Sequence, residues 1–427
     1  MIVVALILLI VLMALAIPVA ASLGLLAVIL DGMYSMLPLT RGIGEVAWSA
    51  SNEFLLVSVP LFIMLGEILL RSGYAERMYG ALIKWVSWLP GGLMHSNIAA
   101  CALFAATSGS SVATAATVGT VALPQAKRFG YNERIFLGTL AAGGTLGILI
   151  PPSINMIIYA VLTNTSVPKL YLAGIVPGIV LTLLFMLTVV LLCLWRPAWG
   201  GQKVRATMAE RVASLAHLVP PLGIFLVVVG SIYAGLATPT EAASLGVVAS
   251  TGLAWWSGNL SWTMMREVME GTMRSTAMVM LIILAAYFLN FVMSSIGLTT
   301  QLTSFIEQLG WSPAMTLFAV VVFYVVLGCF METLSMMITT IPIIAPVMFK
   351  LGYDPIWFGI VIIVLVETAL ITPPVGLNLF VVQNLRKSGP IQDVIVGSLP
   401  FVAALFVVLG LMALFPQLAL WLPGLWQ

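Results

Sequence analysis

Two Pro-Pro pairs, Pro151-Pro152 and Pro373-Pro374, interrupt stretches that are otherwise almost wholly apolar, and they stand 222 positions apart. The same register relates Pro124 to Pro346, Gly130 to Gly352, Tyr131 to Tyr353 and Phe136 to Phe358, and it sets Asn132 against the chemically similar Asp354. Six identities in one register point to an internal duplication. Proline has no N–H and leaves carbonyl oxygens of the preceding turn without partners, which lipid cannot satisfy. Such breaks persist in a membrane only where they are buried in protein or line a cavity. Paired breaks in the two halves of a membrane protein are therefore a pointer to a transport site.

The rest of the chain agrees with a bilayer as its solvent. Of 427 residues, 61% are hydrophobic and 7% charged, against about 25% charged in an ordinary soluble domain. Apolar runs on the order of 20 residues, long enough to span, lie at about 3 to 30, 53 to 71, 135 to 163, 170 to 195, 218 to 236, 241 to 257, 275 to 297, 355 to 383 and 395 to 422, which gives nine crossings. Two further segments, 92 to 126 and 314 to 349, carry small or polar residues at their middle and read as re-entrant hairpins. Their tips are Ser108-Gly109-Ser110-Ser111 and Met331-Glu332-Thr333. Ala14-Leu15-Ala16 resembles a signal-peptide cleavage site, but there is no basic n-region and the run stays apolar to Leu30, so a retained span is expected. Cys101, Cys193 and Cys329 are odd in number and far apart in apolar stretches, which argues against disulfides or a metal centre.

With the amino terminus placed in the cytoplasm, Arg41, Lys169 and Lys350 fall outside and the other fourteen of the 17 Lys and Arg fall inside, Lys203 and Arg205 among them. The reversed orientation would invert that positive-inside bias. The first hairpin then enters from the cytoplasm and the second from outside, so the repeats are inverted and the carboxyl terminus is periplasmic. The expected fold is an all-α polytopic membrane protein with two inverted-topology repeats, each holding a re-entrant helical hairpin and a broken transmembrane helix. A first span and outer loop occupy 1–52 and the first repeat 53–195, with hairpin 92–126 and broken helix 135–163. A basic cytoplasmic loop and linking spans fill 196–274, and the second repeat covers 275–427, with hairpin 314–349 and broken helix 355–383. Amphipathic arms near 74 to 90 and 298 to 313 precede the hairpins.

Chemistry concentrates at the tips and breaks. Ser108, Gly109, Ser110, Ser111 and Thr114 put hydroxyls and close-approaching backbone at mid-membrane depth, where hard cations want oxygen and half-helix amino termini favour an anion. Close helix packing by small residues is the plainer reading of the same cluster. Glu332 lies opposite Ser110 in the 222 register. An acid at the centre of an apolar hairpin costs roughly 2.5 to 3.5 kcal/mol unless paired or hydrated, so it is a functional candidate that can also cap a helix. Thr333, Ser335, Thr339 and Thr340 extend that tip. Carbonyls freed before each Pro pair face the adjoining tip and make two quasi-equivalent cation sites. Asn155 and Asn378 sit just beyond the breaks, and Glu367, opposite Thr145, either binds a cation or pairs with a neighbour. His95 and His217 lack carboxylates at metal-ligand spacing, and Glu67, Tyr287 and Asn290 read as interhelical polar contacts, so Glu67→Gln is expected to be nearly silent.

These residues carry a resemblance. The stretches 108–117, 143–155 and 367–378, which open on Ser108-Gly109-Ser110-Ser111, Gly143-Gly144-Thr145-Leu146-Gly147 and Glu367-Thr368, are similar to those of the large membrane subunit of tripartite ATP-independent periplasmic (TRAP) transporters, along essentially the whole chain. The resemblance implies a bacterial or archaeal inner-membrane protein, working with a separate small four-helix membrane subunit and a periplasmic substrate-binding protein. It implies import of an organic acid, driven by Na+ through an elevator motion. By position, one sodium would lie between the first tip (Ser108, Gly109) and carbonyls of Gly144, Gly147 and Ile150. A second would lie between Met331, Glu332 and carbonyls of Val366, Ala369 and Thr372. The substrate anion would meet Ser110, Ser111, Thr114, Ser153, Asn155, Thr333, Ser335 and Asn378. Relatives carry Asp where this chain has Thr114 or Glu332, which bears on the ion count.

No enzyme, ATP, organic cofactor or nucleic-acid role is expected, and no Gly-x-x-x-x-Gly-Lys motif is present. Two rivals stay open. One is a stand-alone sodium- or proton-coupled dicarboxylate or oxyanion carrier of related fold. The other is an intramembrane serine hydrolase using Ser108 or Ser110, for which no matched base is visible.

Overall fold

The computed structural model describes every residue except 16, 203, 205, 299, 302, 303, 305–307, 309, 329, 330, 375 and 427. Lys203, Arg205, Cys329 and much of the arm expected near 298 to 313 therefore lie outside the described residues. What is described is helical throughout, with no strand.

The first apolar run is two helices, not one: α1 (Ile2–Ala14) and α2 (Val19–Tyr34). Pro18, which has no N–H to give, stands at the start of the second. A short α3 (Ile43–Ser51), then α4 (Ser58–Arg71) and α5 (Tyr74–Val86), lead to the first hairpin. The hairpin comprises α6 (Leu93–Ser108) and α7 (Ser111–Arg128). The first broken helix is α8 (Glu133–Leu149) and α9 (Ile154–Thr163), bent by 43° across a cis Pro151-Pro152 peptide. Next come α10 (Val167–Trp195), α11 (Met208–Ser214) in the basic loop, α12 (Val219–Tyr233), α13 (Pro239–Trp256) and α14 (Trp262–Ser295). The helix expected over 275 to 297 starts at Trp262. At 1.5 Å per residue α14 is roughly 50 Å long, well beyond the hydrocarbon thickness. The second half holds α15 (Pro313–Gly328) and α16 (Thr333–Lys350), then α17 (Pro355–Ile371) and α18 (Leu377–Arg386) around a cis Pro373-Pro374 peptide. It closes with α19 (Gln392–Leu414) and α20 (Gln417–Leu425).

By length and apolarity, five described helices are long enough to cross a membrane alone, and two bent pairs raise that to seven. Six of the nine expected crossings qualify. Those at 3 to 30, 241 to 257 and 355 to 383 do not, being split or diluted by small and polar residues, whereas α16, read as a hairpin arm, does qualify.

Local chemistry recurs in the 222 register. Asn132 caps α8 by accepting from the Ile135 N–H at 3.2 Å, and Asp354 caps α17 by accepting from Ile356 and Trp357 at 2.8 and 3.0 Å. Each cap satisfies amides that a helix start leaves open. Both broken helices form the centre of the molecule, buried from Ile135 to Leu149 and from Trp357 to Ile371. Around them α10 shows two faces. Leu181, Phe185, Val189 and Cys193 point inward, while Ile179, Leu183, Leu187 and Leu191 are exposed, as a lipid-facing stripe would be. Gly138 of α8 and Gly397 of α19 let two backbones touch, since a Cβ on either would overlap the other helix.

Candidate functional site

The first tip is built by conformations that its residues favour. Gly109 closes α6 in the left-handed region at φ 60°, and its N–H returns to the Ala105 carbonyl. Ser110 is extended and caps α7, its Oγ accepting from the Ala113 N–H at 3.4 Å. Behind it Thr114 Oγ1 donates to the Ser110 carbonyl at 2.7 Å and lies 2.9 Å from Ser108 Oγ. Gly144 and Gly147 of α8 admit the tip: a Cβ at Gly147 would stand 2.6 Å from Ser110 O, and one at Gly144 3.1 Å from Ser111 O. Gly109 in turn leaves room for the Pro152 carbonyl.

The second tip uses a carboxylate where the first uses a hydroxyl. Glu332 caps α16, accepting from the Ser335 N–H at 3.1 Å, from Ser335 Oγ at 3.2 Å and from Thr333 Oγ1 at 3.0 Å. Thr372 ends α17 in extended backbone, its Oγ1 donating to Thr368 O at 2.6 Å. On the far side of the break Gly376, at φ 52°, starts α18.

Both tips border one cavity of about 470 Å³. Ser108, Gly109, Ser110 and Ser111 line it from one side, and Glu332, Thr333 and Leu334 from the other. Asn155 reaches it from α9, and Ile63, Gly66, Glu67, Leu70, Ser275, Met278 and Val279 of α4 and α14 form the opposing wall. Of the positions expected to meet an anion, Ser110, Ser111, Asn155 and Thr333 therefore come together. Thr114, Ser153, Ser335 and Asn378 do not line the cavity: Thr114 is spent inside its own tip, Ser153 accepts from the Met156 N–H, Ser335 is turned to Glu332, and Asn378 Nδ2 donates to Ala141 O at 3.1 Å. Of the expected sodium positions, Ser108, Gly109 and Glu332 line it, while Gly144, Gly147, Ile150, Met331, Val366, Ala369 and Thr372 do not. Ile150 and Thr372 both take extended backbone directly before the cis peptides.

Two further acids stand at the site. Glu367 is fully buried on α17 and crosses to the first half, accepting from Ser111 Oγ at 3.0 and 3.2 Å and from the Ile148 N–H at 3.3 Å. Glu67 borders the cavity and pairs at 3.0 Å with Arg71, which also holds Glu267. That pair lies within α4, and it is Arg71 that reaches across to α14, while the Glu67 carboxylate stands where it meets whatever enters the cavity. The sequence signal for Glu67 is an acid within an apolar run, and for Glu367 also its place opposite Thr145 in the 222 register. His95 Nε2 donates to Pro90 O, 2.8 Å away, and no group of three or more His, Cys, Asp or Glu suited to a metal occurs among the described residues. Cys101 and Cys193 are buried and unpaired.

Residues 6–418 match the family model described as tripartite ATP-independent periplasmic transporter, DctM component. The chain is 35% identical, over 90% of each sequence, to the C4-dicarboxylate TRAP transporter large permease protein DctM of Pseudomonas aeruginosa. It is 30% identical, over 88% of itself and 87% of the relative, to the sialic acid TRAP transporter large permease protein SiaM of Vibrio cholerae. The crystal structure of the Alcanivorax borkumensis YdaH transporter superimposes with a TM-score of 0.60 at 18% identity, covering 97% of this chain and 98% of that one, which is a likeness of fold.

Proposed function

The chain belongs to the DctM component family of tripartite ATP-independent periplasmic transporters, a multi-pass membrane permease and not an enzyme, and from that premise we propose that it carries a small organic acid inward by sodium symport. The acid is handed over by a periplasmic substrate-binding protein, and a small four-helix subunit completes the membrane complex. The chain sits in the inner membrane of a bacterium or archaeon with its amino terminus in the cytoplasm. The halves are inverted repeats, and the body holding tips and broken helices moves as an elevator against the wall of α4 and α14.

The observation that carries this reading is the single cavity bordered by both tips. Amides and hydroxyls at the first tip suit a carboxylate, received by Ser110 with Asn155 and Thr333 on the same cavity. Oxygens at the tips and at the breaks suit sodium, a hard cation. A tenfold sodium gradient supplies about 1.4 kcal/mol per ion, and each net charge moved through 100 mV about 2.3 kcal/mol. Two sodium ions with a monoanion thus provide roughly 5 kcal/mol, enough for accumulation by a few thousand-fold.

The test is uptake into proteoliposomes holding this chain and its small subunit, with and without sodium and the cognate binding protein. Uptake that requires both supports the tripartite reading. Sodium-driven uptake without the binding protein would make the chain a stand-alone carrier.

A further inference from the structure

A hydroxyl has one proton, so a serine that donates to a carboxylate presents only lone pairs to anything else it meets. Ser111 Oγ donates to both oxygens of Glu367. Thr114 Oγ1 gives its proton to the Ser110 carbonyl, which obliges Ser108 Oγ to donate to Thr114. Ser110 Oγ accepts from the Ala113 N–H and keeps its own proton. The first tip is therefore divided. Ser110 can donate to an anion, whereas Ser108 and Ser111 offer lone pairs to a cation.

Two groups from the second half converge on the same place. Glu367 is fully buried and, among the described residues, pairs with no Lys, Arg or His. Asn378 is equally buried, commits its Nδ2 to Ala141 O and leaves Oδ1 with no partner. Both approach one face of α8: a Cβ at Gly144 would stand 2.9 Å from Asn378 Nδ2 and 3.1 Å from Ser111 O, and the Ile148 N–H one turn on meets Glu367 at 3.3 Å. A buried carboxylate without a cation and a buried acceptor without a donor are both costly, and one cation relieves both.

We propose that the first sodium position is completed from the opposite half of the chain. Ser111 Oγ and Asn378 Oδ1 are ligands, and Glu367 is a positioning residue that supplies negative charge and holds the Ser111 hydroxyl with its lone pairs outward. This rests on the sodium-coupled reading above and refines it: Ser111 and Asn378 move from the anion set to the cation set, and Ser110 remains the carboxylate donor. Sodium then ties α17 and α18 to the first tip, so loading one half is felt by the other.

The experiment is a sodium titration of the purified complex of this chain with its small subunit, without cargo, at constant ionic strength with choline as replacement and melting temperature as readout. Glu367→Gln and Ser111→Ala should each raise the sodium midpoint tenfold or more while still melting cooperatively in choline. A merely structural contact would lower the melting temperature in choline and leave the midpoint unchanged. A wild-type midpoint in either variant overturns the proposal, and if Glu367→Gln does not fold, Ser111→Ala decides alone. A wild-type complex whose melting ignores sodium would instead overturn the sodium coupling itself.

Discussion

Glu332 accepts three hydrogen bonds from the first turn of its own helix while it also borders the cavity. Losing a cap costs about 1 kcal/mol, too little to unfold a protein of this size. Glu332→Ala is accordingly predicted to leave a folded protein, by size-exclusion profile, with sodium-driven uptake abolished. Ser110→Ala should do the same through loss of the one tip hydroxyl with a free proton. Wild-type uptake by either would remove these residues from the site. Glu67 shows how position changes an expectation. Its carboxylate lies on the cavity wall beside Arg71, so Glu67→Gln is predicted to lower uptake several-fold, against the near-silence suggested by its place in an apolar helix. Equal initial rates for variant and wild type would restore the sequence reading. Ser110 and Glu332 were legible because a polar residue within an apolar hairpin is costly unless it is paired, hydrated or capping a helix. Glu367 was legible as an acid that binds a cation or pairs, but its partner was not, because Ser111 lies 256 residues away.

Between the first tip and the broken helix, contact is backbone to backbone. Gly147 faces the Ser110 carbonyl so closely that a methyl group would sit 2.6 Å from it. The carbonyl belongs to a capped turn and has nowhere to go, so Gly147→Ala should cost about 1 to 3 kcal/mol as overpacking does and reduce uptake more than tenfold. Gly252→Ala, on α13 with nothing within 4 Å of the added methyl, is the matched control and should be neutral or mildly stabilising. Similar melting temperatures for the two variants would show that the tip yields easily. The breaks themselves were readable, because Pro-Pro cannot continue a helix whatever surrounds it. Helix limits were less so: α14 begins well before its apolar run, held by the Ser261 cap, and the amino-terminal run divides at Pro18. Apolarity reports which residues suit lipid, whereas helix length depends on caps and on packing beyond it.

Across the whole molecule, the two halves are joined at one end by charge. Arg386 pairs with Glu133 at 2.8 Å and with Asp393 at 2.9 Å, and Asp393 also holds Arg134 at 2.8 Å. The Arg386 side chain is 7% exposed and that of Asp393 14%, so breaking this pair leaves Arg386 with Glu133 as its only acidic partner. Asp393→Asn is predicted to destabilise the complex by about 2 kcal/mol, as loss of charge-assisted hydrogen bonds does, visible as a drop in melting temperature. The pair Arg266–Glu270 is 73% and 60% exposed, and Glu270→Gln should shift stability by less than about 1 kcal/mol. Equal shifts for the two variants would argue that the network is no latch.

What the sequence determined by itself is whatever follows from local covalent chemistry and from solvent preference. Proline breaks, glycine and serine tips, Asn132 and Asp354 caps and a lipid-facing composition act wherever the chain lies, and the proline breaks and the two caps recur at an interval of 222 positions. Only the tertiary structure decided which of those pieces meet. That Ser111 gives its proton to Glu367, that Asn378 reaches Ala141 and that Glu67 borders the cavity all depend on how helices distant in the chain are rotated and stacked. Rotation and stacking are set by many small packing contacts summed over the fold, and no single residue encodes them.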